Sequence, residues 1–195
     1  MNIPNLITLS RILIISLFPL IYLKNEFFKI NNFYLPFVLV IILIVCYSTD
    51  IIDGIIARKK NLVTDLGKIM DPMADSITNI TVFFTFTQGF IDLPILLVFV
   101  FLYREFFIST LRTVCALKGV ALAARKSGKV KTFLQAIISI LIVLLLVPYF
   151  RGYITLKQLH VSALILSSIA AFYSVVTVID YVYANRKLLK SFLFD

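Results

Sequence analysis

Six apolar runs, each about as long as a bilayer's hydrocarbon core is thick, take up most of this chain of 195 residues. They fall at about 6–23, 34–57, 69–90, 93–117, 130–150 and 158–184, separated by short stretches holding Asn, Lys, Gly or Pro. A helical crossing takes about 20 apolar residues, and in lipid the backbone polar groups must be satisfied within the segment. The expected fold is therefore all-α and integral to the membrane, with six transmembrane helices forming one domain over residues 1–195. Hydrophobic residues make up 61% of the chain and charged residues 15%, far from the usage of soluble domains. The opening Met1-Asn2-Ile3-Pro4-Asn5 lacks the basic start and small-residue cleavage site of a signal peptide, so the first helix is expected to be retained.

Charge sets the orientation. Lys and Arg number 19 against 10 Asp and Glu, a formal net charge of +9. The basic residues flank the apolar runs, so anionic headgroups and phosphorylated substrates are the expected partners, not nucleic acid. One set of connections holds Arg58, Lys59, Lys60, Lys68, Lys118, Arg125, Lys126, Lys129, Lys131, Arg186, Lys187 and Lys190; the other holds Lys24, Lys29, Arg151 and Lys157. The positive-inside rule places the richer side, and with it both termini, in the cytoplasm. With no Trp, the interfacial belt is expected to rest on tyrosines such as Tyr22, Tyr34, Tyr149 and Tyr153. Cys46 and Cys115 are expected to pack, and the single histidine, His160, excludes a multi-histidine metal site.

The chemistry lies in two short segments. Asp50-Ile51-Ile52-Asp53-Gly54-Ile55-Ile56-Ala57-Arg58 ends the second run, and Gly67-Lys68-Ile69-Met70-Asp71-Pro72-Met73-Ala74-Asp75 opens the third. On a helix Asp50 and Asp53 share a face, as do Asp71 and Asp75, so two facing pairs make a cluster of four carboxylates. Carboxylates in a membrane helix cost about 2.5–3.5 kcal/mol each on insertion scales, so the cluster needs compensating charge or water. Arg58 and Lys68 alone do not supply enough. Oxygen-only ligands favour a hard cation, Mg²⁺ or Mn²⁺, and four carboxylates have room for two ions, an arrangement suited to phosphoryl chemistry. Gly54 and Gly67, one turn from Asp50 and Asp71, leave the backbone open to a substrate, and Arg58 suits a substrate phosphate. Pro72 is expected to bend the third helix.

These residues resemble the CDP-alcohol phosphotransferase family, whose signature D-x-x-D-G-x-x-A-R, eight residues, G-x-x-x-D-x-x-x-D is met in full from Asp50 to Asp75. The resemblance implies a six-helix fold, a homodimer, and a polar metal-containing cavity at the cytoplasmic interface that opens sideways to lipid. It implies Asp50, Asp53, Asp71 and Asp75 as metal ligands, and Asp75 also as the base for the acceptor hydroxyl, which attacks the β-phosphate and expels CMP. Gly54, Ala57 and Arg58, with Gly67 beside them, would line the CDP pocket. Asn2-Ile3-Pro4-Asn5 with Thr8 and Arg11, Arg104-Glu105, Leu111-Arg112, Gly119 and Gly128-Lys129-Val130-Lys131-Thr132 with Gln135 are similar to the branch that uses sn-glycerol 3-phosphate as acceptor. Arg104, Arg112, Lys129 and Lys131 are the candidates for its phosphate. Ser76 stands where family members often have Lys.

The implied reaction transfers a phosphatidyl group from CDP-diacylglycerol to glycerol 3-phosphate in a bacterial cytoplasmic membrane. The nearest alternative is a sibling enzyme with inositol phosphate, serine or phosphatidylglycerol as acceptor. From other classes, a small cation or proton transporter would also place acids within membrane helices, and a structural scaffold would not need them.

Overall fold

A computed structural model describes residues 3–59, 65–117 and 125–186. These residues form α1 (Ile3–Leu23), α2 (Leu35–Lys59), α3 (Asp65–Thr85), α4 (Ile95–Leu117), α5 (Lys126–Phe150) and α6 (Leu156–Ala184), with no strand among them. Helices α1, α2, α5 and α6 are long and apolar enough to cross a membrane. At 1.5 Å per residue the 21 residues of α3 and 23 of α4 also reach about 30 Å or more. What sets these two apart is charge within the span: Lys68, Asp71 and Asp75 on α3, and Arg104, Glu105 and Arg112 on α4.

The helix boundaries differ from the apolar runs where local chemistry overrides hydropathy. Helix α3 ends at Thr85, five residues early, because the chain turns through Gly89 at φ +73°, a conformation that costs glycine little. Helix α5 starts four residues early at Lys126, since the basic Lys126–Lys129 segment extends the helix into the polar interface. Helix α6 starts at Leu156 behind a capping box, in which the Thr155 hydroxyl accepts from Gln158 N and the Gln158 side chain accepts from Thr155 N. Helix α3 runs through Pro72 without interruption.

Helix α1 packs between α2 and α3, while α5 joins α2 to α6 and α4 leans mainly on α6. Apolar side chains from all six helices form one core, including Phe18, Leu39, Phe83, Phe101, Ile142 and Ala170. Far from the acids, Tyr22 is buried rather than interfacial: its hydroxyl accepts from Ile91 N at 3.0 Å, and its ring lies against the Gly89 turn. Tyr34 and Tyr153 are exposed, as an interfacial belt requires. The thiols of Cys46 and Cys115 are free and buried, and His160 Nε2 lies 3.1 Å from the Phe90 carbonyl oxygen.

Candidate active site

Because consecutive helices run antiparallel, the starts of α1, α3 and α5 meet the ends of α2, α4 and α6 at one end of the bundle. The contacts Thr8–Asp71, Arg11–Asp50, Arg104–Thr177 and Arg125–Asp180 all lie there. This is the end rich in Lys and Arg.

Asp50 near the end of α2 and Asp75 in the first half of α3 converge on a single nitrogen. Arg11 Nη1 donates to Asp50 Oδ1 at 2.6 Å and to Asp75 Oδ1 at 2.8 Å. The Arg11 side chain is 2% exposed, whereas those of Asp50 and Asp75 are 34% and 31% exposed. The cation is thus sealed in the bundle while both acids open outward. One turn earlier on α1, the Thr8 hydroxyl donates to Asp71 Oδ1 at 3.1 Å, so α1 addresses three of the four motif acids. The side chains of Asp53, Ala57 and Arg58 lie outside the described residues.

The acids open into a cavity of about 390 Å³. Asp50, Ile51 and Gly54 of α2, Asp75 of α3, and Lys129, Thr132 and Phe133 of α5 line it, with Tyr47 at its wall. Tyr47 is anchored by contacts to Ser139 at 3.1 Å and Asn79 at 3.3 Å, and the Asn79 amide donates to the Asp75 carbonyl at 3.0 Å. This chain of hydrogen bonds ties α2, α3 and α5 together behind Asp75. Gly67 lies one turn before Asp71 and is not among the cavity-lining residues.

A second polar cluster sits beside the first, centred on Glu105. It accepts from Ser76 Oγ at 2.8 Å, from Arg104 Nη1 at 3.1 Å and from Lys131 Nζ. Arg104 Nε also donates to the Thr177 hydroxyl at 3.1 Å. Arg104 and Lys131 are buried, as Glu105's partners must be if three charges are to leave water. Of the four basic residues singled out for an acceptor phosphate, the structure brings Arg104 and Lys131 together on Glu105 and places Lys129 in the cavity wall. Arg112 instead meets the Tyr181 hydroxyl at 3.3 Å. Ser76, adjacent to Asp75, links the two clusters.

Neither Thr8 nor Arg11 is marked by the motif as an acid partner. The signal was present all the same: an arginine inside an apolar helix needs a partner, and Thr8 lies three residues before it on the same face. Arg11 is also part of the compensating charge that the carboxylates require. The donor set suits a hard divalent cation in its chemistry, with carboxylate oxygens from two helices already directed at one positive charge. Among the described residues no three acids gather tightly enough to hold an ion by themselves.

Fold and site together define a helical membrane protein whose acids and bases share a cavity at one end of the bundle. The model of the family described as CDP-alcohol phosphatidyltransferase matches residues 1–179, and the chain belongs to that family. It is 36% identical to the CDP-diacylglycerol--glycerol-3-phosphate 3-phosphatidyltransferase of Rickettsia felis, over 95% of this chain and 96% of the relative. The protein of the same name from Bacillus subtilis is 38% identical over 70% of this chain and 73% of the relative. The probable phosphatidylglycerophosphate synthase of Mycobacterium tuberculosis H37Rv is 35% identical over 69% of this chain and 59% of the relative.

Proposed function

We propose that this protein transfers the phosphatidyl group of CDP-diacylglycerol to sn-glycerol 3-phosphate, releasing CMP and leaving phosphatidylglycerol phosphate in the membrane. The observation that carries the reading is the convergence of Asp50 and Asp75 in a cavity that Lys129 also lines. Carboxylates and a cation there face the two needs of the reaction, activation of a hydroxyl and attraction of a phosphorylated acceptor. The acceptor follows from the names of the relatives, which specify glycerol 3-phosphate.

A hydroxyl is a poor nucleophile at neutral pH, so the reaction needs a base. The Asp75 carboxylate takes the proton of the acceptor hydroxyl as its oxygen bonds to the β-phosphorus, and the bond from that phosphorus to the CMP oxygen breaks. Asp50, Asp53, Asp71 and Asp75 would hold Mg²⁺ or Mn²⁺, two ions by ligand count, and the metal would supply positive charge to the phosphate oxygens and the departing CMP. Gly54 leaves α2 bare where the CDP moiety approaches, with Ala57 and Arg58 further along α2 and Gly67 on α3 serving the same moiety. Lys129 meets the acceptor phosphate directly, and Arg112 lies within the same end of the bundle. Arg104 and Lys131, buried around Glu105, add positive charge behind the acceptor phosphate. The enzyme works as a homodimer in a bacterial cytoplasmic membrane with both termini inside, where glycerol 3-phosphate and CDP-linked lipid meet.

The test is CMP release by purified protein given CDP-diacylglycerol, Mg²⁺ or Mn²⁺, and a panel of acceptors. Release with glycerol 3-phosphate, absent with inositol phosphate, serine and phosphatidylglycerol, is expected. Release with another acceptor alone would move the protein to a sibling activity, and ion flux without CMP release would favour a transporter.

A further inference from the structure

We propose that Arg11 is a built-in counter-cation that competes with divalent metal for Asp50 and Asp75, so that loading the site requires the guanidinium to leave them. The inference rests on the metal-dependent reading above and adds a role for a residue on α1. One nitrogen, Arg11 Nη1, bridges two carboxylate oxygens of two different helices at 2.6 and 2.8 Å. Two acids brought that close repel each other unless a positive charge lies between them. Arg11 fills that need from within the bundle, where its side chain is buried.

A divalent ion binding the same two oxygens needs the same space and brings twice the charge. The two cations therefore exclude each other at Oδ1 of Asp50 and Asp75. Thr8 donates to Asp71 through a neutral hydroxyl, which brings no competing charge to that acid. Two consequences follow. The metal-free protein keeps α1, α2 and α3 joined, because Arg11 ties together the helices that carry the acids. The loaded protein has a displaced guanidinium beside its substrate cavity, where the anionic CDP-lipid gives it a new partner.

The experiment is Mn²⁺ titration of the purified full chain in detergent, followed by calorimetry and by the loss of the free-ion paramagnetic resonance signal. Wild type is compared with Arg11→Gln, Arg11→Lys and the conservative Thr8→Ser. Arg11→Gln is expected to bind Mn²⁺ more tightly by about tenfold to a hundredfold, the scale of a lost charge-assisted contact. Arg11→Lys, which keeps a competing cation, stays near wild type, as does Thr8→Ser. The metal-free Arg11→Gln protein melts at a lower temperature, and Mn²⁺ recovers more of that loss than it adds to wild type. The KM for CDP-diacylglycerol rises in Arg11→Gln although metal binds better, an opposition that a merely structural role does not produce.

Affinity equal to or weaker than wild type in folded Arg11→Gln overturns the competition. If Arg11→Gln folds only when Mn²⁺ is supplied, the metal replaces the missing cation and the proposal stands. If it folds under neither condition, guanidinium and metal are not interchangeable and the proposal fails. Wild type that binds no Mn²⁺ at all removes the metal-dependent reading itself, a different result from an unchanged affinity in the variant.

Discussion

Single side chains decide whether the two clusters at the polar end of the bundle do chemistry or hold structure. Asp75 is part-exposed to the cavity, so Asp75→Asn keeps the shape of the side chain and removes a base. CMP release should fall by about 10²–10⁴-fold, the usual contribution of a positioned base, with the far-ultraviolet helical signal unchanged. Glu105 behaves differently, being the anion that two buried cations share. Glu105→Gln strands Lys131 and Arg104 and should cost about 3–5 kcal/mol, read as a lowered thermal midpoint in detergent. Adding Lys131→Met to it removes one stranded cation and should return part of that loss. Spacing singled out the four motif acids, and the structure brings Asp50, Asp71 and Asp75 to one end of the bundle against α1. What spacing did not tell was the division of labour among the cations. Arg104 and Lys131 look like free phosphate ligands until the fold shows Glu105 between them. Arg11 and Asp50 are separated by 39 residues, so only tertiary packing pairs them.

At the scale of helices and turns, two glycines mark where elements approach too closely for a side chain. A Cβ added at Gly128 of α5 would sit 3.2 Å from the Tyr181 hydroxyl and 3.7 Å from Arg104 Nη2. Tyr181 in turn meets Arg112 and Arg125 N. Gly128→Val should therefore push α6 away from α4 and α5 and raise the KM for glycerol 3-phosphate more than that for CDP-diacylglycerol, measured by steady-state CMP release. At the opposite end, Gly89→Ala combines a positive φ with a contact of 3.0 Å to the Tyr22 ring, and should destabilise the fold by about 1–3 kcal/mol without changing substrate preference. The helices themselves were readable from hydropathy because lipid forces each apolar run to satisfy its own backbone. Their ends were less so. Turn glycines and capping residues set them, and the basic start of α5 is helical despite its polarity.

The whole molecule concentrates charge at one end of an otherwise apolar bundle, which makes its orientation testable. A cysteine placed at Lys157, at the end poor in basic residues, should react with a membrane-impermeant maleimide added outside intact cells. One placed at Lys126 should react only after the membrane is opened. Native Cys46 and Cys115 are buried and leave the background low. Labelling of both sites from the same side would contradict the antiparallel six-helix arrangement.

The most direct test of the account follows labelled glycerol 3-phosphate into lipid. Purified protein is supplied with CDP-diacylglycerol and Mg²⁺ or Mn²⁺, with and without chelator, alongside Asp75→Asn. The account predicts that label enters the lipid phase in equal amount to the CMP released, stops with chelator, returns with added metal, and is lost in the variant. Folded, metal-bound wild type that leaves all the label in water would contradict it.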